Sequence, residues 1–352
     1  MKILHVADIH LSSKVRAGLK SISEDRKTAT RASFKKIVEY AANEGIKVVI
    51  LAGDVFDTTS PTKKDTEFFE GLVRKNPEID FLYLRGNHDK ASEDNVLPDI
   101  PNLKPFGDKL TSFEYGDVVV SGVDFTESNC DGVYSLMDFN KDKKNILVLH
   151  GTVGTVSGVE SVNLKKLSGK NIDYLALGHI HAYSSGKLDE RGTYAYSGCV
   201  EGKAFDEPGK KGFIVYDTDT LTHTFIPCYE REIKVIELNL SGVTSLVELL
   251  EKVGTADVES RDIVRLVLKG EVPTELEYSQ EDIKGELRDR VFFLDVKDET
   301  IRKTDVSKYK NDASLRGEFV RSVFEDTTLT EEEKNEIVHN GLALLDGREV
   351  YV

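Results

Sequence analysis

The stretch VVILAGDVFD, residues 48–57, joins an uninterrupted apolar run to a glycine and two acidic residues. A short apolar run rich in Val and Ile is typical of a strand that is buried on both faces. Asp54 and Asp57 follow where that strand ends. Because the strands of an α/β sheet present functional side chains at one edge, the stretch predicts a polar site at the carboxyl end of a buried sheet.

Four further apolar runs in the first 230 residues also end in polar residues. They are KILHVA before Asp8-Ile9-His10, FLYLR before Gly86-Asn87-His88-Asp89, ILVL before His150, and YLAL before Gly178-His179-Ile180-His181. Amphipathic stretches at residues 33–43 and 65–75, with apolar spacing near 3.6, predict helices between some of these strands. The alternation of strands and helices is typical of an α/β or α+β sandwich.

Three parts follow one another along the chain. A predicted β-hairpin at residues 212–226 closes a first domain of residues 1–230. Residues 231–302 alternate strand and helix, which predicts a small α/β domain. Residues 306–352 hold two short helices, the second of which begins with a capping box at Thr330. Each has an apolar face, which serves either packing on the same chain or binding of a partner.

The composition is that of a globular protein, with 39% hydrophobic and 31% charged residues among 352. No apolar run is long enough to span a membrane, and Asp8 interrupts any signal-peptide core, so we expect a cytoplasmic protein that is neither secreted nor membrane-bound.

Three cysteines without C-x-x-C spacing argue against disulfides and a thiolate zinc site. The net charge of −15 does not exclude a local basic surface for nucleic acid.

Metal-binding side chains cluster at the predicted strand ends. Asp8 and His10 are two residues apart, so in extended backbone they lie on one face, and His179 and His181 repeat this spacing. Either pair alone is weak evidence, because a surface Asp and a packed His are common. Together with an amide and two further imidazoles at other strand ends, they indicate a two-cation centre for a metal such as Mn²⁺.

The order of these motifs resembles that of the calcineurin-like metallophosphoesterases. The motifs are Asp-x-His at 8–10, Gly-Asp-x-x-Asp at 53–57, Gly-Asn-His-Asp at 86–89, a lone His at 150 and Gly-His-x-His at 178–181. The resemblance implies a metallophosphoesterase sandwich in which two sheets are flanked by helices. It further implies that the small α/β domain caps the first domain and that a C-terminal helix-loop-helix follows.

Three segments are more narrowly similar to the nuclease subunits of double-strand-break repair complexes of the SbcD type. These are LAGDVFDT at 51–58, DYLALGHIH at 173–181 and the segment 196–207. The similarity extends by motif over residues 1 to about 230 and beyond them only by layout. Two departures stand out: His150 is followed, not preceded, by Gly, and Cys199-Val200-Glu201 replaces a Ser-Pro, which puts contacts at the substrate rim in doubt.

The resemblance assigns roles to the polar residues. It implies a first cation bound by Asp8, His10 and His181, a second bound by Asn87, His150 and His179, and Asp54 bridging both. His88 would contact the scissile phosphate and protonate the leaving oxygen, a step that suits an imidazole near neutral pH. Asp57 is interpreted as orienting a ligand, and Asp89 as doing the same or as capping a turn.

Basic residues follow directly on the Asp-x-His motif and predict a loop that contacts DNA beside the cations. The candidates are Lys14, Arg16, Lys20, Arg26, Lys27 and Arg31, with Lys63, Lys64 and Arg85 as additions. The alternative is a solvated helix face, which is the usual fate of such charges. The chain has no Trp, so contact with the DNA backbone is expected rather than stacking on bases.

The predicted function is a DNA nuclease dependent on two Mn²⁺ ions, with Mg²⁺ as the alternative metal. The resemblance implies 3′-to-5′ exonuclease activity on duplex ends and endonuclease activity on single strands, in DNA repair and recombination. It also implies an SMC-like coiled-coil ATPase bound by residues 306–352, and a homodimer, to which residues 33–43 could contribute, within a heterotetramer. Two alternatives stay open: a phosphoesterase acting on nucleotides or other small phosphoesters, and a scaffold with a vestigial metal site.

Overall fold

The computed structural model of this chain describes residues 1–13, 19–90, 96–154, 158 and 160–347. The chain divides into two compact units, Met1–Glu232 and Ile233–Val352. The first unit ends two residues beyond the boundary predicted at residue 230. The structure groups the predicted capping domain and the helical tail into the single second unit.

Two six-stranded sheets and one two-stranded sheet build the described residues of the first unit. Its strands are β1 (Lys2–Val6), β2 (Val48–Ala52), β3 (Asp80–Leu84), β4 (Leu103–Pro105), β5 (Thr111–Tyr115), β6 (Val118–Gly122), β7 (Lys144–His150), β8 (Thr152–Val153), β9 (Ser161–Val162), β10 (Tyr174–Gly178), β11 (Ser184–Lys187), β12 (Thr193–Tyr196), β13 (Gly212–Asp217) and β14 (Thr222–Pro227). Its helices are α1 (Ser23–Asn43), α2 (Lys63–Lys75) and α3 (Leu164–Leu167), with 3₁₀ turns at Lys20–Ile22 and Val133–Leu136.

The first sheet has the order β14-β13-β1-β2-β3-β4, and the second has the order β11-β12-β10-β7-β6-β5. Strands β1 to β4 are parallel to one another, and so are β6, β7, β10 and β12. Antiparallel strands flank each parallel set, including the β13–β14 hairpin predicted from the sequence. The predicted sandwich of two sheets with flanking helices is confirmed.

The core explains why the strand sequences are apolar without interruption. Ile50 of the first sheet contacts a buried cluster shared with Val148 of the second sheet, on the inner faces of the sandwich. Leu51, the next residue, lies in the opposite cluster together with Phe34 of α1 and Phe69 of α2. Because alternate residues face different apolar layers, both sides of the strand are buried, and its sequence does not alternate between polar and apolar residues.

Helix α1 begins at Ser23, well before the residue 33 predicted from apolar spacing. The part that was not predicted, residues 23–32, buries Arg26, and the predicted part begins at the buried Ser33. The guanidinium of Arg26 pairs with Glu201 at 3.2 Å, and the Ser33 hydroxyl donates to the same carboxylate at 2.7 Å. Apolar periodicity cannot detect a helix face that is buried through polar partners, so the prediction was wrong for residues 23–32.

Up to residue 347, the second unit consists of a small parallel sheet and four helices. Its elements are β15 (Ile233–Asn239), α4 (Leu246–Gly254), β16 (Ile263–Pro273), α5 (Gln280–Leu287), β17 (Phe293–Lys303), α6 (Leu315–Glu325) and α7 (Glu331–Leu345), with a 3₁₀ turn at Val306–Tyr309. The sheet order is β15-β16-β17, and the predicted alternation of strands and helices is confirmed.

The two C-terminal helices pack on each other through Val320, Val338 and Leu342. The predicted capping box at the start of α7 is present, because Thr330 Oγ1 accepts from the backbone of Glu333 at 3.3 Å and the Glu333 carboxylate accepts in return at 2.7 Å. Across the described part of the chain, no helix combines the length and apolar character that crossing a bilayer requires.

Candidate metal centre

The loops that follow β1 and β2 lie side by side and carry three of the predicted ligands. The backbone N–H of Asp8 donates to the carbonyl of Gly53 at 3.0 Å, and that of His10 donates to the carbonyl of Asp54 at 2.9 Å. These bonds continue the pairing of two parallel strands beyond the sheet. The side chains of Asp8, His10 and Asp54 are thereby held, almost fully buried, at the carboxyl edge.

Four predicted ligands adopt left-handed backbone conformations that non-glycine residues rarely take. The φ angles are 52° for Asp8, 53° for His10, 53° for Asp54 and 100° for His179. Such conformations cost about 1–3 kcal/mol each and concentrate at functional sites. Gly53 is needed for close approach as well, because its φ is 94° and a Cβ there would lie 2.1 Å from Nδ1 of His150.

Asp8, His10 and His181 form one donor group, which we call the Asp8 group. Nε2 of His10 lies 3.0 Å from Nε2 of His181 and 3.9 Å from Oδ1 of Asp8. Two nitrogen ligands bound at about 2.1 Å and at right angles to one cation would lie about 3.0 Å apart. The residues present therefore fit a divalent cation.

Asn87, His150 and His179 form a second group, which we call the Asn87 group. Oδ1 of Asn87 lies 3.0 Å from Nε2 of His150 and 3.2 Å from Nδ1 of His179. Asn87 comes from the loop after β3, whereas the two histidines stand at the ends of β7 and β10. The group thus joins the two sheets of the sandwich at one point.

Asp54 lies between the two groups. Its Oδ2 is 3.7 Å from Nε2 of His10 and 3.5 Å from Nε2 of His150, so one carboxylate reaches both. Burial alone would raise the pKa of Asp54, but His150 and His10 hold it below its usual range. For the basic His150, burial acts in the opposite direction and would lower the pKa, yet the Asp54 carboxylate raises it to about 9.

The outer nitrogens of three histidines have partners that turn the inner nitrogens toward the centre. Nδ1 of His10 lies 2.6 Å from Oδ1 of Asp57, and Nδ1 of His150 contacts the carbonyl of Ala52 at 2.9 Å. Nδ1 of His181 contacts Oε1 of Glu207 at 2.8 Å. Glu207 was missed by the sequence analysis, although it lies in the segment 196–207 that carried the narrower similarity.

Asp57 was expected to orient a ligand, and Asp89 was expected either to do the same or to cap a turn. Asp57 contacts His10 directly, as described above. Asp89 is buried and accepts from the backbone N–H of Gly86 at 2.7 Å and of Val55 at 2.9 Å, and from the hydroxyl of Tyr83 at 2.7 Å. It therefore closes the turn that carries Asn87 and ties that turn to the loop after β2.

His88 lies at the rim of the centre and is open to solvent. Its side chain is 45% exposed, and its Nδ1 is 3.6 Å from Oδ1 of Asp57. The ring centre is 5.1 Å from that of His10, and the backbone N–H donates to Oδ1 of Asp54 at 2.9 Å. A group in this position can reach a substrate that enters from solvent while it leaves the two donor groups intact.

The basic residues predicted to contact DNA have different surroundings. Lys14 and Arg16 lie outside the described residues, and Lys20 is exposed in a 3₁₀ turn. Arg31 pairs with Asp65 at 2.7 Å, and Arg85 donates to the carbonyl of Asp89 at 2.8 Å. Because α1 begins at Ser23, Arg26, Lys27 and Arg31 stand on a helix and not in the predicted basic loop; Arg26 is buried.

Two adjacent groups of Asp, Asn and His side chains, with one carboxylate between them, offer donors for divalent cations and are typical of metal-dependent phosphoester hydrolases. The sequence model of the family described as calcineurin-like phosphoesterase matches residues 1–183 of this chain. The chain belongs to the calcineurin-like phosphoesterase family, and the predicted fold class and type of enzyme are confirmed.

Known relatives are similar over most of the chain. The SbcD subunit of nuclease SbcCD from Staphylococcus epidermidis is 28% identical over 289 residues, which cover 67% of this chain and 72% of that protein. DNA double-strand break repair protein Mre11 is 23% identical from Sulfurisphaera tokodaii, covering 76% of this chain and 73% of that one. The same protein from Archaeoglobus fulgidus is 26% identical, covering 76% and 68%. The resemblance expected from the motifs is confirmed.

Proposed function

We propose that this chain is a Mn²⁺-dependent DNA nuclease that degrades duplex ends in the 3′-to-5′ direction, cuts single strands and acts with an SMC-like ATPase in repair. The observation that carries the proposal is Asp54 between two donor groups, with His88 exposed beside them. The similarity to SbcD and Mre11 proteins favours DNA over small phosphoesters as the substrate.

The proposed ligands follow from the two donor groups. Asp8, His10 and His181 would hold one cation, Asn87, His150 and His179 would hold the other, and Asp54 would contact both. Two bound cations supply Lewis-acid stabilisation of the charge that develops during in-line displacement at phosphorus. Asp57 and Glu207 hold the imidazoles of His10 and His181 in the orientation that metal binding requires. His88 donates a proton to the leaving oxygen from the open rim.

The donor types disfavour Mg²⁺ and are compatible with Mn²⁺. Four of the seven proposed ligands are imidazoles: His10, His150, His179 and His181. Mg²⁺ is bound mainly by oxygen ligands and keeps several waters, whereas imidazole nitrogens suit later divalent metals. Mn²⁺ accepts both oxygen and nitrogen donors, so we propose it as the working ion.

Incubation with linear duplex DNA labelled at its 3′ end tests the proposed reaction. In Mn²⁺ we expect early release of the labelled mononucleotide, loss of release on addition of EDTA, and recovery when Mn²⁺ is restored in excess. A 5′ label should be released only late, because degradation starts from the other end of its strand. Turnover of a small phosphodiester without any release from DNA would contradict the nuclease proposal and favour the small-ester alternative.

The exposed apolar residues of α6 and α7 support the proposed docking of an ATPase coiled coil. The exposed fractions are 71% for Leu315, 61% for Leu344 and 42% for Leu345, although the helices bury other apolar residues between them. Apolar residues along a helix face fit a groove between partner helices.

From the resemblance to SbcD-type nucleases, we also propose a homodimer formed through helices of the first unit, with α1 as a contributor. This dimer would lie in a heterotetramer with two ATPase subunits.

Replacing both Leu344 and Leu345 by Asp is expected to weaken binding to a co-expressed SMC-like ATPase at least about 100-fold, because burial of two leucines is lost. Titration of the purified chain against the ATPase measures the effect. Val247→Asp is the matched control, since Val247 is 66% exposed on α4 of the same unit and should bind as wild type does. Equal binding by the double variant and wild type would refute this docking surface.

A further inference from the structure

The loop of residues 201–207, between β12 and β13, brings a lysine to the edge of the metal centre. Nζ of Lys203 lies 2.8 Å from Oδ1 of Asp57, and the lysine side chain is 14% exposed. The same Asp57 oxygen is 2.6 Å from Nδ1 of His10 and 3.6 Å from Nδ1 of His88. One carboxylate oxygen is therefore shared by an ammonium and two imidazoles.

Asp57 and His88, together with His10 of the Asp8 group, form a further cluster of potential metal ligands at the rim of the centre. One donor atom each from His10, Asp57 and His88 lies within 4.8 Å of the others. A carboxylate and an imidazole at the open rim are suitable donors for Mn²⁺. Nothing in the donor types of this cluster distinguishes it from the Asp8 group, so its chemistry alone would allow it to bind a further cation.

The difference between the two clusters is the ammonium of Lys203. It already neutralises Asp57, and it stands at hydrogen-bond distance from the oxygen that a cation would have to share. Two positive charges about 4 Å apart near a protein surface repel each other strongly enough to weaken binding more than about 100-fold. The lysine thus takes the position and the charge of a cation without binding His88.

The backbone of this loop is fixed at both ends. Oε2 of Glu207 accepts from the backbone N–H of Lys203 at 2.8 Å, while its other oxygen contacts His181. At the other end, Glu201 is buried against Arg26 and Ser33 of α1. The hydrogen bond from Glu207 to the backbone of Lys203 thus fixes the loop at the residue whose ammonium reaches Asp57.

We propose that Lys203 excludes a third divalent cation from Asp57 and His88, and so keeps His88 available to the substrate. The inference rests on the proposed two-cation centre, which it extends by a residue that determines how many ions bind. A third ion at this rim would capture the His88 imidazole as a ligand. Hydrolysis would then fall as the Mn²⁺ concentration rises above the level that saturates the two main positions.

Counting bound Mn²⁺ by calorimetric titration of the apo chain tests the proposal without DNA or a partner. We expect two ions in wild type, a third and weaker one in Lys203→Met, and two again in Lys203→Arg, which retains the charge. Hydrolysis of a small phosphodiester should be inhibited by excess Mn²⁺ in Lys203→Met at least tenfold more strongly than in wild type. Lys187→Met is the matched control, because Lys187 pairs with Glu190 at 3.0 Å on the surface.

A double variant separates the proposed site from a general loss of structure. Combining Lys203→Met with Asp57→Asn removes the carboxylate that would bind the third ion, so the third binding event should disappear. Two ions in Lys203→Met, with wild-type inhibition by excess Mn²⁺, would overturn the inference and leave the two-cation centre standing. A wild-type chain that binds no Mn²⁺ would overturn the centre and the inference together.

Discussion

Replacing Asp54 by Ala is expected to reduce kcat/KM on both duplex DNA and a small phosphodiester more than about 1,000-fold. This carboxylate lies within 4 Å of a histidine from each donor group, at 3.7 Å from His10 and 3.5 Å from His150. Two-cation centres contribute several kcal/mol of charge stabilisation, and each 1.36 kcal/mol corresponds to a factor of about ten in rate. Steady-state rates in Mn²⁺ measure the loss.

The effect must come from the centre and not from unfolding. Asp117→Ala is the matched control, because Asp117 is an exposed acid of the first unit that pairs with Lys144 at 3.0 Å. It should keep the wild-type rate and melting temperature. Retention of more than a tenth of the activity by Asp54→Ala, with an intact far-ultraviolet spectrum, would contradict the bridging role of this carboxylate.

Replacing His88 by Ala is expected to lower kcat about 100- to 10,000-fold on DNA while Mn²⁺ binding stays at the wild-type level. The reason is that His88 is 45% exposed at the rim and belongs to neither donor group, so its loss removes a proton donor and no ligand. Single-turnover rates on DNA, together with calorimetric titration of Mn²⁺, measure the two quantities separately.

The leaving group provides a sharper version of this test. A nitrophenolate leaves without protonation, so His88→Ala should slow hydrolysis of a nitrophenyl diester far less than hydrolysis of DNA. His223→Ala on the edge strand β14 serves as the control and should behave as wild type on both substrates. Equal losses on the two substrates would contradict the role of His88 as proton donor, and loss of a bound Mn²⁺ ion would show that it acts as a ligand.

The strands of the first unit could be predicted because their residues face apolar layers on both sides. The run 48–52 therefore predicted β2 with its bounds, and the polar residues after it marked the edge of the sheet. Residues 23–32 of α1 could not be predicted in this way, since Arg26 is buried against Glu201, a residue far away in the sequence. Local spacing carries no information about such partners.

Local sequence patterns were limited in the same way at the candidate metal centre. The seven proposed ligands stand at strand ends, where a pattern of short motifs marks them, and the structure brings all seven together. Lys203 and Glu207 come from a loop without periodicity, and their contacts with Asp57 and His181 depend on the folded arrangement of distant segments. Conversely, the positive charge of Arg31 suggested contact with DNA, but its partner Asp65 lies on another helix and could not be inferred from charge alone.

The division of the donors between the two sheets bears on whether incomplete copies of this protein could cut DNA in the cell that makes it. Asp8, His10, Asp54 and Asn87 follow strands of one sheet, whereas His150 ends a strand of the other sheet and His179 and His181 follow its neighbour. A truncated, cleaved or half-folded chain that retains only one sheet holds an incomplete set of donors. Damaged copies of a proposed DNA-cutting enzyme would thus lose nuclease activity together with their fold, and no separate inhibitor would be required.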